Sequence, residues 1–309
     1  MLSKMSWTLL ITAMAPAVWG STYLVTVALL PSGLPLTAAV LRAVPAGLLL
    51  LLVVRRLPRG SWWWKSLVLG GLNIGVFFAL LFVAAYRLPG GVAATVGAVQ
   101  PLIVAGLATW ILKERLSLAV ILSGIAGAAG VALLVLQSQA RLDPVGVLAA
   151  LGGAGSMAAG VVLAKKWGQA EKPLTMTAWQ LLGGGIVLIP VMLAVEGLPP
   201  VLSAANLAGY AYLAVMGTAV AYALWFRGIQ RLPVTAPSFL GLLSPVVATL
   251  LGGLVMGERL SPLQGLGGLL VIGSILVVAV GSRRPSSARD ASAAGVDQSA
   301  GARVLPALR

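Results

Sequence analysis

The chain has 309 residues, of which 59% are hydrophobic and only 9% are charged, whereas an ordinary soluble domain has about 25% charged residues. It contains no cysteine and no histidine, which excludes disulfides, thiolate nucleophiles, Cys/His metal sites and histidine acid–base chemistry, so we expect no metal and no cofactor. The net charge of +14 is typical of basic cytoplasmic loops in a multi-pass membrane protein, and no basic soluble face is present to bind nucleic acid.

Ten apolar runs are each long enough to cross a bilayer as a helix, which takes about 20 residues. As spans 1 to 10, they lie at about 7–29, 35–54, 66–86, 92–112, 118–136, 145–164, 174–195, 205–226, 234–256 and 263–281. Lys4 and Ala13-Met14-Ala15 make the first run similar to a signal peptide, but the apolar stretch continues well beyond that cleavage-like site. We therefore predict an all-α integral membrane protein with ten transmembrane helices, in which span 1 is retained.

The basic residues indicate how the spans are oriented. With the N-terminus in the cytoplasm, 17 Lys and Arg residues fall on cytoplasmic segments, 3 fall on the opposite side, and one, Arg42, falls within a span. Cytoplasmic loops of membrane proteins carry an excess of Lys and Arg. The sequence thus predicts that both termini are cytoplasmic (N-in and C-in). Residues 283–309, rich in Ser, Ala and Arg, are expected to form a disordered cytoplasmic tail.

The tetrapeptide Glu-Arg-Leu-Ser occurs at 114–117 and again at 258–261, which is 144 positions later. At the same offset Arg-Leu-Pro at 87–89 matches 231–233, without a gap. Further matches at this offset are Gly97 with Gly241, Pro101 with Pro245, and Gly124 with Gly268. The pattern predicts two repeats of five spans, at 1–143 and 144–282. Because five is odd, the second repeat is inverted in the membrane, an arrangement typical of secondary transporters that work by alternating access.

Five segments carry a resemblance to a known family. They are WGSTY at 19–23, LRAVPAGLLLLL at 41–52, QPLIVAGLATWILKERLS at 100–117, TAWQLLGGG at 177–185 and SPVVATLLGGLVMGERLSP at 244–262. In this order, and with the duplication, they resemble the EamA-type permeases, the ten-span bacterial branch of the drug/metabolite transporter superfamily. The resemblance covers about residues 7–281. It implies ten helices around a central cavity in a bacterial cytoplasmic (inner) membrane, and export of aromatic amino acids, threonine and homoserine, or drugs.

Arg42, about seven residues into span 2, is the one clear charge within a span. A charged group inside a bilayer is costly and is by default a functional hypothesis. Two functional interpretations are open: a counter-charge for a substrate carboxylate, or a tie between helices that gates the cavity. The structural alternative is that the side chain extends to the outer headgroups or caps backbone carbonyls.

Uncharged polar and aromatic residues are the other candidate substrate contacts, because transporter sites favour the mid-membrane and the interface between repeats. The first repeat offers Trp19, Ser21, Thr22, Tyr23, Asn73, Thr95 and Gln100, and the second offers Ser156, Met157, Gln180, Tyr212, Tyr222, Ser238 and Ser244. For each of them the alternative is an ordinary hydrogen bond between helices. We expect the substrate to lie between spans 1, 3 and 4 on one side and spans 6, 8 and 9 on the other.

Paired prolines and glycines mark four of the spans. Pro101 and Pro245 each remove a backbone hydrogen bond in mid-span, which predicts paired kinks that act either as hinges for alternating access or as static bends. Spans 5 and 10 carry small residues at near-helical spacing, which favours close helix packing. These residues are Gly124, Gly127 and Gly130 in span 5, and Gly265, Gly268 and Gly273 in span 10. We expect spans 5 and 10 to pack against each other, away from the cavity.

No carboxylate falls in mid-membrane, whereas proton-coupled antiporters usually need a buried acid or histidine. This favours facilitated export, with proton coupling through Glu114 or Glu258 as the alternative. Each of these two residues has a local structural interpretation, because each adjoins an arginine and precedes a serine, Ser117 or Ser261, that can cap the next helix.

Two other function classes compete with a transporter. A membrane enzyme acting on lipids usually needs clustered carboxylates or metal ligands, but the seven acidic residues here are scattered. A channel or lipid scramblase would be recognised by flux far above carrier rates. The sequence therefore favours a transporter and not an enzyme: a monomer in the lipid bilayer that exports small-molecule metabolites, amino acids first. The alternative is multidrug or other metabolite efflux with proton coupling.

Overall fold

The computed structural model describes residues 4–87, 90–135, 143–168, 171–199, 201–256 and 261–282, and its long elements are all helices. In chain order they are α1 (Lys4–Leu29), α2 (Pro35–Val54), α3 (Trp62–Gly70), the π-helix π1 (Gly71–Val76), α4 (Phe77–Arg87), α5 (Gly90–Gly97), α6 (Gln100–Ile111), α7 (Leu118–Val135), α8 (Pro144–Trp167), α9 (Pro173–Val195), α10 (Ala204–Ala214), the π-helix π2 (Val215–Val220), α11 (Ala221–Arg231), α12 (Thr235–Leu240), α13 (Leu243–Met256) and α14 (Pro262–Gly281). Glu258 and the predicted tail at 283–309 lie outside the described residues.

These helices confirm the ten predicted spans. Spans 1, 2, 5, 6, 7 and 10 are the single helices α1, α2, α7, α8, α9 and α14. Span 3 is α3–π1–α4, span 4 is α5–α6, span 8 is α10–π2–α11 and span 9 is α12–α13. In the part of the chain that is described, all ten are long and apolar enough to cross a membrane. Span 8 continues to Arg231, beyond its predicted end at 226, because a basic last turn is favourable at a helix C-terminus.

Irregular helix geometry recurs at the offset of the sequence repeat. The π-helix π1 begins at Gly71, and π2 begins at Val215, 144 residues later. Spans 4 and 9 are interrupted at 98–99 and 241–242, shortly before Pro101 and Pro245. Each proline thus lies in the first turn of a new helix, where a missing N–H costs little. The predicted mid-helix kinks are therefore wrong in detail: the chain has helix breaks there, and a hinge role stays a prediction.

Most of the packing joins the two halves of the chain. The most extensive helix contacts are those of span 5 with span 10 and of span 2 with span 7. Span 3 packs on spans 6 and 7, and span 1 packs on spans 8 and 9. In each of these pairs one member precedes residue 136 and the other follows residue 142. The core therefore lies between the halves, and exposed apolar side chains such as Leu48 and Leu276 cover the outside.

Spans 5 and 10 pack as predicted, but the contact uses a different glycine of span 10. A Cβ atom added to Gly267 would lie 2.6 Å from the Gly130 carbonyl oxygen. A Cβ atom on Gly268 would meet only Leu134, at 4.0 Å. Cβ atoms on Gly265 and Gly273 would meet nothing within 4 Å. The expectation for the three predicted glycines of span 10 is wrong, because neighbouring helix positions point about 100° apart.

Replacing Gly267 by leucine should lower the yield of folded protein several-fold, because backbone opposes the new side chain and overpacking costs about 1–3 kcal/mol. The matched change Gly268→Leu should leave the yield near that of the wild type. Size-exclusion chromatography of fluorescently tagged protein measures both. Equal losses in the two variants would contradict this placement of the interface.

Candidate functional site

The π-helix of span 8 contains a carbonyl group that two side chains from the first half bind. Trp19 Nε1 of span 1 donates a hydrogen bond to the Gly217 carbonyl oxygen at 3.0 Å. Arg42 Nη2 of span 2 donates to the same oxygen at 3.2 Å, and Arg42 Nε donates to Thr218 Oγ1 at 3.0 Å. We call the contacts of Arg42 with Gly217 and Thr218 the Arg42 tie. π-Helical turns occur frequently at functional sites.

Arg42 places a positive charge in the interior without a carboxylate partner among the described residues. Its guanidinium lies 5.1 Å from the centroid of the Phe78 ring in span 3. The side chain crosses to span 8, as in the tie interpretation. Neutral acceptors offset the cost of a buried charge only in part. An ionised oxygen would be a stronger acceptor than either partner that Arg42 now has.

Three aromatic residues form a wall beside the Arg42 tie. The Trp19 ring lies 5.1 Å from the ring of Tyr222 and 5.1 Å from that of Trp225, both on span 8. Trp225 is only 2% exposed, and its Nε1 has no hydrogen-bond partner in the described part of the chain. A buried donor without a partner is costly. Tyr222 and Trp225 are thus packed in the interior, and the wall contains one N–H group without a partner in the described part of the chain.

Ser21 and Tyr212 close the same region through a hydrogen bond of 2.7 Å between their hydroxyl oxygens. Ser21 Oγ also donates to the Val18 carbonyl at 2.7 Å, so Tyr212 is the donor of the pair. This bond joins span 1 to span 8 on the N-terminal side of π2. Ser21, Trp19, Arg42, Tyr212 and Tyr222, all predicted contacts, are thus brought together around one segment of span 8.

A second polar group surrounds π1 in span 3. Asn73 Nδ2 donates to Gln180 Oε1 of span 7 at 2.7 Å, and both residues are 0% exposed. Ser156 Oγ of span 6 donates to the Leu72 carbonyl at 2.8 Å. Gly160 of span 6 leaves room for the Asn73 amide, which a Cβ atom there would meet. Asn73 Oδ1 and Gln180 Nε2 have no partner within the described residues.

The two groups are related by exchange of the two halves. At π2, the third span of the second half is bound by spans 1 and 2, the first and second of the other half. At π1, the third span of the first half is bound by spans 6 and 7, which are again the first and second of the other half. The chemistry differs, because the first group contains a guanidinium and the second is neutral.

Two further predicted contacts, Met157 and Ser238, have structural partners, whereas Thr22 has none among the described atoms. Met157 is buried in the apolar core. Ser238 Oγ donates to the Val234 carbonyl of its own helix at 2.9 Å. Thr22 Oγ1 is buried without a partner among the described atoms.

The remaining predicted contacts lie on spans 1, 4 and 9. Thr95 and Gln100 are partly buried on span 4. Ser244 lies near span 1, since a Cβ atom on Gly20 would be 2.8 Å from the Ser244 carbonyl oxygen. The side chain of Tyr23 lies outside the described part of the chain.

The two polar groups use spans that differ from those expected. The sequence placed the substrate between spans 1, 3, 4 and 6, 8, 9, but the polar groups join spans 1, 2 and 8, and spans 3, 6 and 7. Gly217, Thr218, Phe78 and Trp225 are contacts that the sequence interpretation missed. Repeat equivalence was the available signal, because Gly217 lies 144 positions after the selected Asn73.

Glu114 bridges two helix ends at one end of the bundle. Its Oε1 accepts a hydrogen bond from the Val234 N–H at 3.2 Å. Nearby, Lys165 Nζ donates to the carbonyls of Gln230 at 2.9 Å and Leu232 at 2.8 Å. The Glu114 carboxylate thus accepts a hydrogen bond from the backbone just before span 9, whereas the sequence suggested that it pairs locally with Arg115. The serine caps are confirmed: Ser117 Oγ accepts from the Val120 N–H, and Ser261 Oγ accepts from the Gln264 N–H.

Burial raises the pKa of the Glu114 carboxyl, although the Val234 N–H and the charge of Lys165 act in the opposite direction. The folded state therefore holds this proton more tightly than the unfolded chain does. The corresponding stability is fully present below the unfolded pKa of about 4.3 and is lost as pH rises through the higher folded value. We expect Glu114→Gln to flatten the pH dependence of the melting temperature in this window. Glu171→Gln, a loop variant, is the control, and parallel curves for wild type and Glu114→Gln would contradict the assignment.

The sequence matches the family model of the EamA-like transporter family twice, over residues 6–136 and 144–280. It is 46% identical over 266 residues to Protein PecM of Dickeya dadantii, covering 85% of this chain and 89% of that one. It is 31% identical over 277 residues to the inner membrane transporter YedA of Escherichia coli, covering 85% and 88%. It is 28% identical over 278 residues to the transporter YwfM of Bacillus subtilis, covering 88% and 94%.

The fold also has a counterpart among solved structures. A protein of known crystal structure, 20% identical in sequence, superposes with a TM-score of 0.78 over 90% of this chain and 98% of its own. At this identity the likeness concerns the fold alone.

Proposed function

This chain belongs to the EamA-like transporter family, and we propose that it exports small metabolites that carry a carboxylate, amino acids first among them, by alternating access. It is a multi-pass membrane transporter, and membership of a transporter family argues against the enzyme alternative. The relative YedA is named an inner membrane transporter, which supports placing this chain in the bacterial cytoplasmic membrane. The unit of function in this proposal is the monomer, since one chain supplies both repeats.

The observation that carries the proposal is the Arg42 tie beside the aromatic wall. Arg42 is a cation whose partners are neutral, and Trp19, Tyr222 and Trp225 lie next to those partners. A carboxylate would bind the guanidinium, and an apolar or aromatic side chain would pack on the wall. Amino acids combine these two features in one small molecule.

Alternating access needs two inverted repeats that exchange conformations. Two observations support the two repeats, and a third supports cytoplasmic termini. The family model matches each half separately. The π-helices recur at an offset of 144 residues and are bound reciprocally by the opposite halves. The basic residues divide 17 to 3 in favour of the cytoplasmic side in this orientation.

The carboxylates support facilitated rather than proton-coupled export. Among the described residues, Asp143 caps α8 and pairs with Arg87, and Glu196 accepts three hydrogen bonds at the start of span 2. Glu114 and Glu171 lie in loops. These acids therefore lie outside the interior where a coupled proton would meet the substrate. Glu114 is the group to which proton coupling would be assigned if it were found.

The test is uptake of labelled amino acids, aromatic ones included, by liposomes that contain the purified protein, with and without a pH gradient. The expected result is saturable flux that does not depend on the gradient and is absent from protein-free liposomes. Flux that requires the gradient would establish proton coupling instead. Transport of cationic drugs with no amino acid flux would replace the proposal by multidrug efflux, for which the aromatic wall offers cation–π contacts.

A further inference from the structure

We propose that Gly217 and Thr218 occupy the carboxylate site of Arg42 in the substrate-free protein, and that an arriving substrate carboxylate displaces them and so separates span 2 from span 8. This inference rests on the proposed function, since it assumes a carboxylate substrate. It assigns Thr218 as a positioning residue that sets substrate affinity through Arg42.

The geometry of the tie imitates a bound carboxylate. Arg42 uses Nε and Nη2, which are the two donors on one edge of the guanidinium. Their acceptors, Thr218 Oγ1 at 3.0 Å and the Gly217 carbonyl oxygen at 3.2 Å, stand where the two oxygens of a carboxylate would stand in a bidentate pair. A carboxylate cannot bind this edge while both acceptors hold it. Substrate binding and release of span 8 are therefore one event.

Only an ionised ligand makes this exchange favourable. The present bonds of Arg42 join a cation to neutral acceptors, whereas a carboxylate adds the attraction between two opposite charges in a fork-shaped pair, so it gains by replacing a hydroxyl and a carbonyl. A neutral carboxamide offers no such gain. The equivalent neutral group in the other half, Asn73 with Gln180, is fully buried and contains no charge for which a substrate anion could compete. The carboxylate thus opens one of the two related contacts and leaves the other closed.

When span 2 separates from span 8, the aromatic wall beside Arg42 becomes available to the rest of the substrate. Trp19 and Tyr222 flank π2 on the side of Arg42, and Trp225 Nε1 is a buried donor without a partner in the described residues. A side chain that enters with the carboxylate would contact this wall. The ligand class is therefore a small carboxylate with an apolar portion.

The kinetic test replaces Thr218 by valine, which keeps the shape but removes one acceptor from Arg42. If Thr218 competes with substrate, KM for L-phenylalanine or L-threonine should fall about tenfold, as expected for one hydrogen bond to a charged group. The inhibition constants of the corresponding carboxamides should not change. Thr109→Val is the matched control, because within the described residues Thr109 Oγ1 bonds only the Ala105 carbonyl of its own helix. A raised KM would make Thr218 a direct substrate contact, and an unchanged KM would make it purely structural; both overturn the inference.

A second measurement does not depend on the folding of that variant. The chain has no native cysteine, so spin labels can be placed on Leu48→Cys of span 2 and Val220→Cys of span 8, which are 49% and 37% exposed. Saturating L-phenylalanine or L-threonine should change the electron–electron distance distribution between the labels, and the carboxamides should not. Equal responses to acid and amide, or none to either, would overturn the inference. Liposome flux separates the two failures: absence of amino acid flux in the wild type rejects the proposed function, whereas flux without these effects rejects only the inference.

Discussion

Replacing Arg42 by glutamine should lower the transport efficiency for carboxylate substrates by about 100-fold or more. The change removes the charge and the paired donors that now bind Thr218 and Gly217. Two hydrogen bonds to a charged group, at about 1.5 kcal/mol each, correspond to about two orders of magnitude in affinity. The yield of folded protein should change little, because a neutral side chain also removes the cost of burying a charge. Initial rates of labelled amino acid uptake into liposomes measure the effect.

Two control variants test whether the loss of transport comes from the site itself and not from removing a positive charge in general. Arg59→Gln removes an exposed arginine in the loop before span 3 and should transport like the wild type. Arg42→Lys keeps the charge but loses the planar pair of donors, so it should retain part of the activity. Transport by Arg42→Gln at the wild-type rate would reject Arg42 as the carboxylate contact and would leave it only a tie between helices.

The ten spans could be predicted because the bilayer imposes a length of about 20 apolar residues on every helix, and that constraint is written in local composition. The repeat was also visible, since Glu-Arg-Leu-Ser and Arg-Leu-Pro recur at one offset. Arg42 could be selected from the sequence too, because a charged residue within an apolar span is costly and therefore indicates a functional or structural role. All three features can be identified in the sequence without knowing how the helices pack against each other.

The partners of the selected residues could not be predicted, because they depend on how helices are rotated about their axes. Arg42 meets Thr218 across 176 positions. Met157 and Ser156 are adjacent in sequence, yet Met157 lies in the apolar core and Ser156 binds the Leu72 carbonyl. The rotation of span 10 about its axis likewise decides that Gly267, and not Gly268, contacts the backbone of span 5. A sequence pattern loose enough to suggest a small-residue face does not determine which residue of that face makes contact.

The π-helices explain why spans 2 and 7 were missing from the spans expected around the substrate, although Arg42 and Gln180 were among the candidate contacts. If span 3 and span 8, the third span of each half, were regular helices, a polar residue in span 2 or span 7 would be expected to lie away from the substrate. Instead, π1 and π2 present Asn73 and the Gly217 carbonyl towards Gln180 and Arg42, on spans 7 and 2. π-Helical turns have no strong local sequence signal, and here only the equivalence of the two segments in the repeat marks them. In the mechanism proposed above, the asymmetry of the two groups, one charged and one neutral, gives each half a different role in substrate binding.

The largest effect on stability is expected from Gly184→Ala in span 7. A Cβ atom on Gly184 would meet the Cβ of Ile74 and would lie 2.7 Å from the Gly70 carbonyl oxygen, both in span 3. Since one obstacle is backbone and the other is a β-carbon, neither can turn away, and spans 3 and 7 must separate. The separation would stretch the bond of 2.7 Å between Asn73 and Gln180 and leave two buried amides unpaired. Each unpaired group costs about 1–3 kcal/mol, in addition to the overpacking. Melting temperature and folded yield in detergent should therefore fall sharply.

The matched control is Gly155→Ala in span 6, where a Cβ atom would meet nothing within 4 Å. Alanine is favoured over glycine in a helix by about 0.5–1 kcal/mol, so this variant should be as stable as the wild type or slightly more stable. The two changes add the same methyl group and should have opposite signs. Gly70→Ala should reproduce the loss, because its Cβ atom would meet the Gln180 carbonyl and the Gly184 nitrogen. The double variant should then lose less than the sum of the single losses, since both relieve strain by the same separation. A Gly184→Ala protein that melts with the wild type would mean that spans 3 and 7 are not held at this distance, and that the amide pair at π1 is not what joins them.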